Sequence, residues 1–429
     1  MNVLRVVFNN KEEIPKDLVL LLVISGLYAL SIALSNTFVN VFVWKHTKSF
    51  FDIGLYNFMI VIFQPLTFLI AGRWAKKVDR VIVLRLGVIS LALFFISVLI
   101  FGPHTREYLL LFGALLGIGY GFYWCAFNVL TFEITEPETR DFFNGFQGLL
   151  SSFAGIVAPV TAGWVIASMK NFTGYRLIFG ISLFLFAVAV VTSWFIERRP
   201  ATGVFKFRRI ITERKFNANW KAILYAHFYQ GVREGTFMFI IGIWVFLTTK
   251  SEFSLGKFSL LESAVLFISY YAISRIVKPN FRKRAILIGG ILLYASVFLI
   301  LFKLTFPVLM VYAVIAALAY PLMEVPFMSL TFDTIGRGWR ARDMRIEYIV
   351  VRELFYNAGR IVSIILFLAT VLAFKDNEEG IRYLMMVIGA GHLAIYFCIR
   401  GLRFKSAGDE NLDRDEARRF RDGESGSPV

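Results

Sequence analysis

The chain has 429 residues, is 57% hydrophobic with a mean hydropathy of +0.66, and contains 46 phenylalanines. Soluble domains are about 45–50% apolar and rarely extend one core past roughly 250–300 residues, so a soluble enzyme, a disulfide-stapled secreted domain and a disordered chain are all excluded. The net charge of +16 does not point to nucleic acid, because the basic residues fall in short stretches between apolar blocks rather than on one basic module.

Twelve apolar blocks follow one another at 17–43, 50–72, 81–101, 108–132, 142–168, 177–196, 221–248, 258–275, 285–302, 305–332, 347–370 and 383–402. Each is long enough to cross about 30 Å of hydrocarbon as a helix. The first block follows KEEIPKD and shows no small-residue cleavage site, so it reads as a span and not as a cleaved signal. Loops 73–80, 197–221 and 275–284 carry 17 Lys and Arg between them, whereas 102–107 and 169–176 carry one or two each. One loop on the basic side, 133–141, is acidic, but acidic residues contribute little to orientation. This asymmetry places both termini in the cytoplasm and the chain in the cell membrane. The tail from Arg403, with six basic and seven acidic residues, reads as a charged solvated extension. Cys125 and Cys398 lie far apart inside apolar blocks, and no metal or cofactor is implied.

An internal repeat organises the spans. The fourth ends Leu130-Thr131-Phe132-Glu133 and the tenth ends Leu330-Thr331-Phe332-Asp333, an offset of 200. At the same offset Tyr120 meets Tyr320 and Phe127 meets Phe327. Thr47-Lys48-Ser49 and Gly54 after the first span return as Thr249-Lys250-Ser251 and Gly256 after the seventh. Arg73, Lys76, Arg80 and Gly87 match Arg275, Lys278, Arg282 and Gly289. Six spans per half keep the second half in the orientation of the first. The organisation is therefore a half at 1–196, a basic linker at 197–220, a second half at 221–402 and a tail at 403–429. The fold class is all-α integral membrane, twelve helices in two parallel six-helix repeats, with a site expected near the midplane between them.

Over roughly residues 17–403 the chain resembles the major facilitator superfamily. The 6+6 arrangement with a long basic central loop is the most specific element. The loop Gly72-Arg73-Trp74-Ala75-Lys76-Lys77-Val78-Asp79-Arg80 is similar to that family's glycine/basic gating loop, with Lys76 where the family has aspartate and Asp79 where it has glycine. Ala154 to Gly163, with Gly155, Pro159 and Gly163, resembles the small-residue/proline signature of the family's antiporters, although Ala stands for two glycines. The bland alternative for this stretch is close helix packing. Gly113 fills the position before Gly117 and Gly119 where many proton-coupled members have arginine. The resemblance is greatest to the drug/proton antiporter branch, which implies transport without an ATPase partner.

A charge near the bilayer centre costs about 2.5–3.5 kcal/mol on insertion scales. The first half carries none at depth, with Asp52 near the outer end of its span. Six stand in the second half: Arg233, Glu234, Glu324, Arg352, Glu353 and Arg360. At about 100° per residue His227, Gln230, Arg233 and Glu234 share one face of their helix, as do Tyr320, Glu324 and Thr331 on theirs. Arg352, Tyr356, Arg360 and Ser363 share a third face, with Glu353 and Asn357 at its edge. The equivalent face of the first half is neutral and aromatic: Asn36, Asn40, Asn57, Gln64, Tyr120, Trp124, Asn128 and Thr131. These residues form ion pairs that hold or latch the second half, or one glutamate carries a proton between two waters. Glu324 is the first candidate because no adjacent arginine in its span neutralises it, Glu234 the second, and Glu353 a third. Arg233 and Arg360 could instead hold an anion, and Arg233 is expected to pair with Glu234.

Three functions fit these residues. One is a secondary transporter exporting a small amphipathic molecule in exchange for protons, working as a monomer in the lipid bilayer. The second is an uptake symporter for an organic anion, and the third a non-transporting sensor or assembly protein on the same scaffold. An enzyme is not expected, since no nucleotide-binding loop, metal-spaced cluster or catalytic arrangement is present.

Overall fold

A computed structural model describes residues 16–134, 137–198 and 203–402. The expected tail at 403–429 and part of the central linker lie outside the described residues. The first half runs α1 Lys16–Thr47, α2 Phe50–Lys77, α3 Arg80–Phe101, α4 Thr105–Ile134, α5 Pro137–Ser168 and α6 Thr173–Ser193. After α7 Phe207–Glu213, a short helix inside the basic linker, come α8 Ala218–Thr249, α9 Glu252–Ile276 and α10 Arg282–Phe302. They are followed by α11 Phe306–Gly336, α12 Arg345–Ala373, α13 Glu378–Gly389 and α14 Gly391–Ile399. Eleven stretches are long and apolar enough to cross a membrane, and one of them, Arg80–Thr131, holds both α3 and α4. That makes twelve crossings, the last built from α13 and α14 around a break at Ala390. Phe184, Phe302 and Val387 are exposed on the outside, where hydrocarbon rather than water is their solvent.

The helices outrun several apolar blocks because polar caps extend them. Ser49 accepts a hydrogen bond from the Asp52 N–H to start α2, and Ser251 accepts one from the Ser254 N–H to start α9. Before each serine stands a lysine with left-handed backbone, Lys48 and Lys250, both at φ 53°. The repeated Thr-Lys-Ser is thus one helix–turn–helix device used twice. A Cβ on Gly87 would lie 2.5 Å from the Tyr123 backbone N, and one on the matching Gly289 would lie 2.8 Å from the Met323 backbone N. Each half therefore crosses its third and fourth helices through an equivalent glycine.

In the second half α8 packs closely against α12. A Cβ on Gly231 would fall 1.9 Å from the Tyr356 carbonyl oxygen, and one on Gly359 1.9 Å from that of Phe228. Backbone cannot yield as a side-chain tip can, so Gly231→Ala or Gly359→Ala is expected to cost at least about 1–3 kcal/mol. Thermal unfolding in detergent, followed by size-exclusion chromatography, reads this as a lower midpoint. An unchanged midpoint for both variants would mean that the helices do not cross this closely.

The halves meet along α2 against α12 and α5 against α9. At the end carrying the basic loops, Lys76 Nζ sits 2.5 Å from Glu347 Oε1. At the far end Lys45 pairs with Glu252, which also accepts from the Tyr175 hydroxyl at 2.9 Å. Nearby the Phe50 N–H donates to Asp376 Oδ1 at 3.0 Å.

Candidate functional site

Two cavities lie in the core, one in each half of its depth. The larger, about 740 Å³, is at the basic end and is lined by Trp124, Asn128 and Thr131 of α4 with Phe332, Arg345 and Arg352. The smaller, about 360 Å³, lies toward the far end and is lined by Asn36 and Asn40 of α1 with Arg233, Glu234, Glu262, Tyr312 and Tyr320.

Between them α8, α11 and α12 bring polar side chains into one layer. Gln230 Nε2 lies 3.1 Å from Glu234 Oε1 and 3.1 Å from Glu324 Oε2, so one amide donates to two carboxylates. Its oxygen accepts from His227 Nδ1 at 3.0 Å, and His227 Nε2 lies 3.2 Å from the Thr331 hydroxyl, which itself donates to the Phe327 carbonyl at 3.0 Å. Glu234 also accepts from Tyr320 at 3.2 Å, Tyr356 at 2.5 Å and His392 Nε2 at 3.4 Å. Glu324 receives the amide alone among the described residues. The three glutamates named from sequence therefore differ. Glu234 is held by four donors, Glu324 by one, and Glu353 is paired with its neighbour Arg352.

The expected pairing of Arg233 with Glu234 is not present. Arg233 Nη2 donates to the Tyr312 hydroxyl at 3.0 Å and its guanidinium stacks 3.8 Å above the Phe237 ring. Adjacent residues on a helix point about 100° apart, so Glu234 turns to the layer while Arg233 turns to Tyr312. Arg360 is likewise occupied: Nη1 donates to Gln64 Oε1 of α2 at 3.0 Å and to Asn357 at 3.1 Å.

In the first half Asn57 donates to Asn40 Oδ1 at 2.9 Å and the Tyr120 hydroxyl to Asn36 Oδ1 at 3.3 Å. Trp124 packs edge-on against Tyr28 while also lining the larger cavity. The stretch expected as a gating loop is helical through Lys77, with Arg73 exposed; Asp79 caps α3 by accepting from the Val81 N–H at 2.7 Å, and Arg80 opens that helix. Gly72 lies under Val350 of α12. The stretch Gly155, Pro159 and Gly163 runs along α9, where a Cβ on Gly163 would lie 2.5 Å from the Glu252 carbonyl oxygen.

Sequence reasoning passed over Glu262 and His392. Glu262 appeared four residues into a block starting at 258, close to a membrane surface. Because Ser251 caps the helix early, Glu262 stands about 15 Å in from its start. It also changes the charge balance, since four glutamates (Glu234, Glu262, Glu324, Glu353) now face three arginines (Arg233, Arg352, Arg360).

A bundle of twelve crossings in two like halves, with a polar layer between cavities in opposite halves of its depth, defines a secondary transporter of small molecules rather than an enzyme. The chain belongs to the Major Facilitator Superfamily, whose profile it matches over residues 21–364. It is similar to the uncharacterised protein YqgE of Bacillus subtilis (strain 168), at 54% identity over 404 residues covering 94% of each chain. An uncharacterised protein encoded in the sodM 3′ region of Geobacillus stearothermophilus is 59% identical over 169 residues, 39% of this chain and 79% of that one. Among solved structures, the human organic anion transporter MFSD10 (TETRAN) superposes with a TM-score of 0.65 at 14% identity, covering 90% of this chain and 100% of that one. The nucleoside transporter NupG gives a TM-score of 0.69 at 14% identity, covering 90% and 99%. At that identity both show the fold and nothing of the substrate.

Proposed function

We propose that this chain exports a small amphipathic organic molecule in exchange for protons, by alternating access across the cell membrane. In this reading the basic loops and both termini face the cytoplasm, the halves are 1–196 and 221–402, and the protein works as a monomer. The observation that supports it best is the layer in which Gln230 joins Glu234 and Glu324 between the two cavities. Neither carboxylate has a lysine or arginine partner there, so a proton on one removes the repulsion between them. With four acids against three arginines, one proton also brings the core to neutrality. Glu324, with a single hydrogen bond, is the carrier; Glu234 anchors the layer. Asn36, Asn40, Tyr120, Trp124 and Tyr320 supply the aromatic and neutral-polar wall for the substrate body.

A second reading, uptake of an organic anion, draws on Arg342, Arg345 and Arg352, which line the larger cavity without an acid among them. Everted membrane vesicles with a respiration-generated proton gradient test the first reading. Adding tetraphenylphosphonium or L-phenylalanine is expected to dissipate the gradient, read with a pH-sensitive acridine dye, in vesicles holding this protein and not in empty ones. Accumulation of either probe with no change in the gradient would overturn proton exchange.

A further inference from the structure

Besides Glu234, which the layer's four donors hold, the smaller cavity presents two opposite charges that the protein does not pair with each other. Arg233 is 9% exposed, its Nε has no hydrogen-bond partner, and it makes no ion pair among the described residues. Tyr312 and Phe237 hold the guanidinium from two sides. Glu262 reaches the same cavity from α9, with no hydrogen bond or ion pair to any described residue. Both groups stand well inside their helices, α8 and α9, where an unpaired charge is expensive. The rest of the lining comprises Glu234 and Tyr320 from the hydrogen-bonded layer, the amides of Asn36 and Asn40 with the hydroxyls of Thr37 and Ser259, and an apolar surface including Met238, Phe258 and Leu293. About 360 Å³ is near the lower limit of ligand pockets, enough for a compact molecule.

We infer that this cavity binds a small zwitterion of the α-amino-acid type with an apolar side chain, its carboxylate on Arg233 and its ammonium on Glu262. A guanidinium with free N–H groups matches a carboxylate, and a carboxylate without a hydrogen-bond or ion-pair partner matches an ammonium. A ligand carrying both charges neutralises both residues at once, which a simple cation or a simple anion cannot do. Arg342 and Arg345 in the lining of the larger cavity present positive charge to the carboxylate end on the way in. This rests on the transport reading above and names its substrate class. Glu262 is on this view a residue that decides specificity, and the hydrogen-bonded layer meets the cavity at Glu234 and Tyr320.

Equilibrium binding to the purified full-length protein tests it with three probes of one skeleton: L-phenylalanine, phenethylamine and 3-phenylpropionate. The zwitterion is expected to bind at least about tenfold more tightly than either analogue, since each analogue leaves one charge in the cavity unmet. Glu262→Gln should erase the preference over 3-phenylpropionate and keep that over phenethylamine. Arg233→Gln should do the reverse. Variants that merely misfold would lose both preferences together, and Tyr312→Phe, which only loosens Arg233, supplies a milder check on the phenethylamine preference. Equal binding of the zwitterion and one analogue, or no binding of any probe to folded protein, overturns the assignment. Binding needs no gradient, so selectivity without proton exchange sinks only the coupling reading, and proton exchange without selectivity sinks only this one.

Discussion

Glu324→Gln is expected to reduce gradient-driven transport to the level of empty membranes while leaving the protein folded. The side chains are isosteric, and the new amide oxygen can accept the same bond from Gln230 Nε2 that the carboxylate accepts at 3.1 Å. What the amide cannot do is take up and release a proton. If Glu324 is the carrier, downhill exchange across de-energised membranes persists while accumulation against a gradient stops. Glu234→Gln should behave differently. Its carboxylate is the common acceptor for Gln230, Tyr320, Tyr356 and His392, and hydrogen bonds to a charged group contribute about 1.5–3 kcal/mol each. An amide offers one acceptor oxygen, so that variant should show a lowered unfolding midpoint as well as lost transport. Full accumulation by Glu324→Gln, measured with a transported probe in energised vesicles, would move the proton to another carboxylate, with Glu262 and Glu353 next.

The twelve crossings and the twofold repeat were legible because both rest on local pattern. Apolar length reports bilayer thickness, and the repeated Thr-Lys-Ser marks the same capped turn at Ser49 and Ser251. Faces were legible too: Gln230 and Glu234 do share one, and so do Tyr320 and Glu324. Partners were not. Whether Arg233 meets Glu234 or Tyr312 depends on where α11 lies, and helical spacing carries no information about a second helix. Glu262 is hidden in the sequence because the apolar block starts only at 258, whereas the capped helix begins at Glu252. His392 gave no local signal at all; its role appears only where the last crossing touches α8.

Lys76 shows how a departure from a family pattern becomes readable in three dimensions. It stands where the resemblance places an aspartate, and across from it is Glu347 on α12, so an ion pair with the cation on α2 ties α2 to α12. The side chain of Glu347 is 0% exposed and that of Lys76 12%. Glu347 Oε1 also accepts from the Lys206 N–H at 3.1 Å, while Oε2 has no partner. This asymmetry predicts an asymmetric mutant cycle. Lys76→Met leaves a sealed carboxylate without its cation and should cost about 3–5 kcal/mol. Glu347→Gln leaves a lysine that can extend its stem to water, so it should cost no more than about 1–2 kcal/mol. The double variant should be more stable than Lys76→Met alone, because it removes the stranded charge along with its partner. Thermal unfolding of the three proteins in the same detergent checks the order. A Lys76→Met protein as stable as the wild type would mean that Glu347 does not depend on Lys76, and that the two halves are held at the basic end by the packing of Gly72 against Val350 instead.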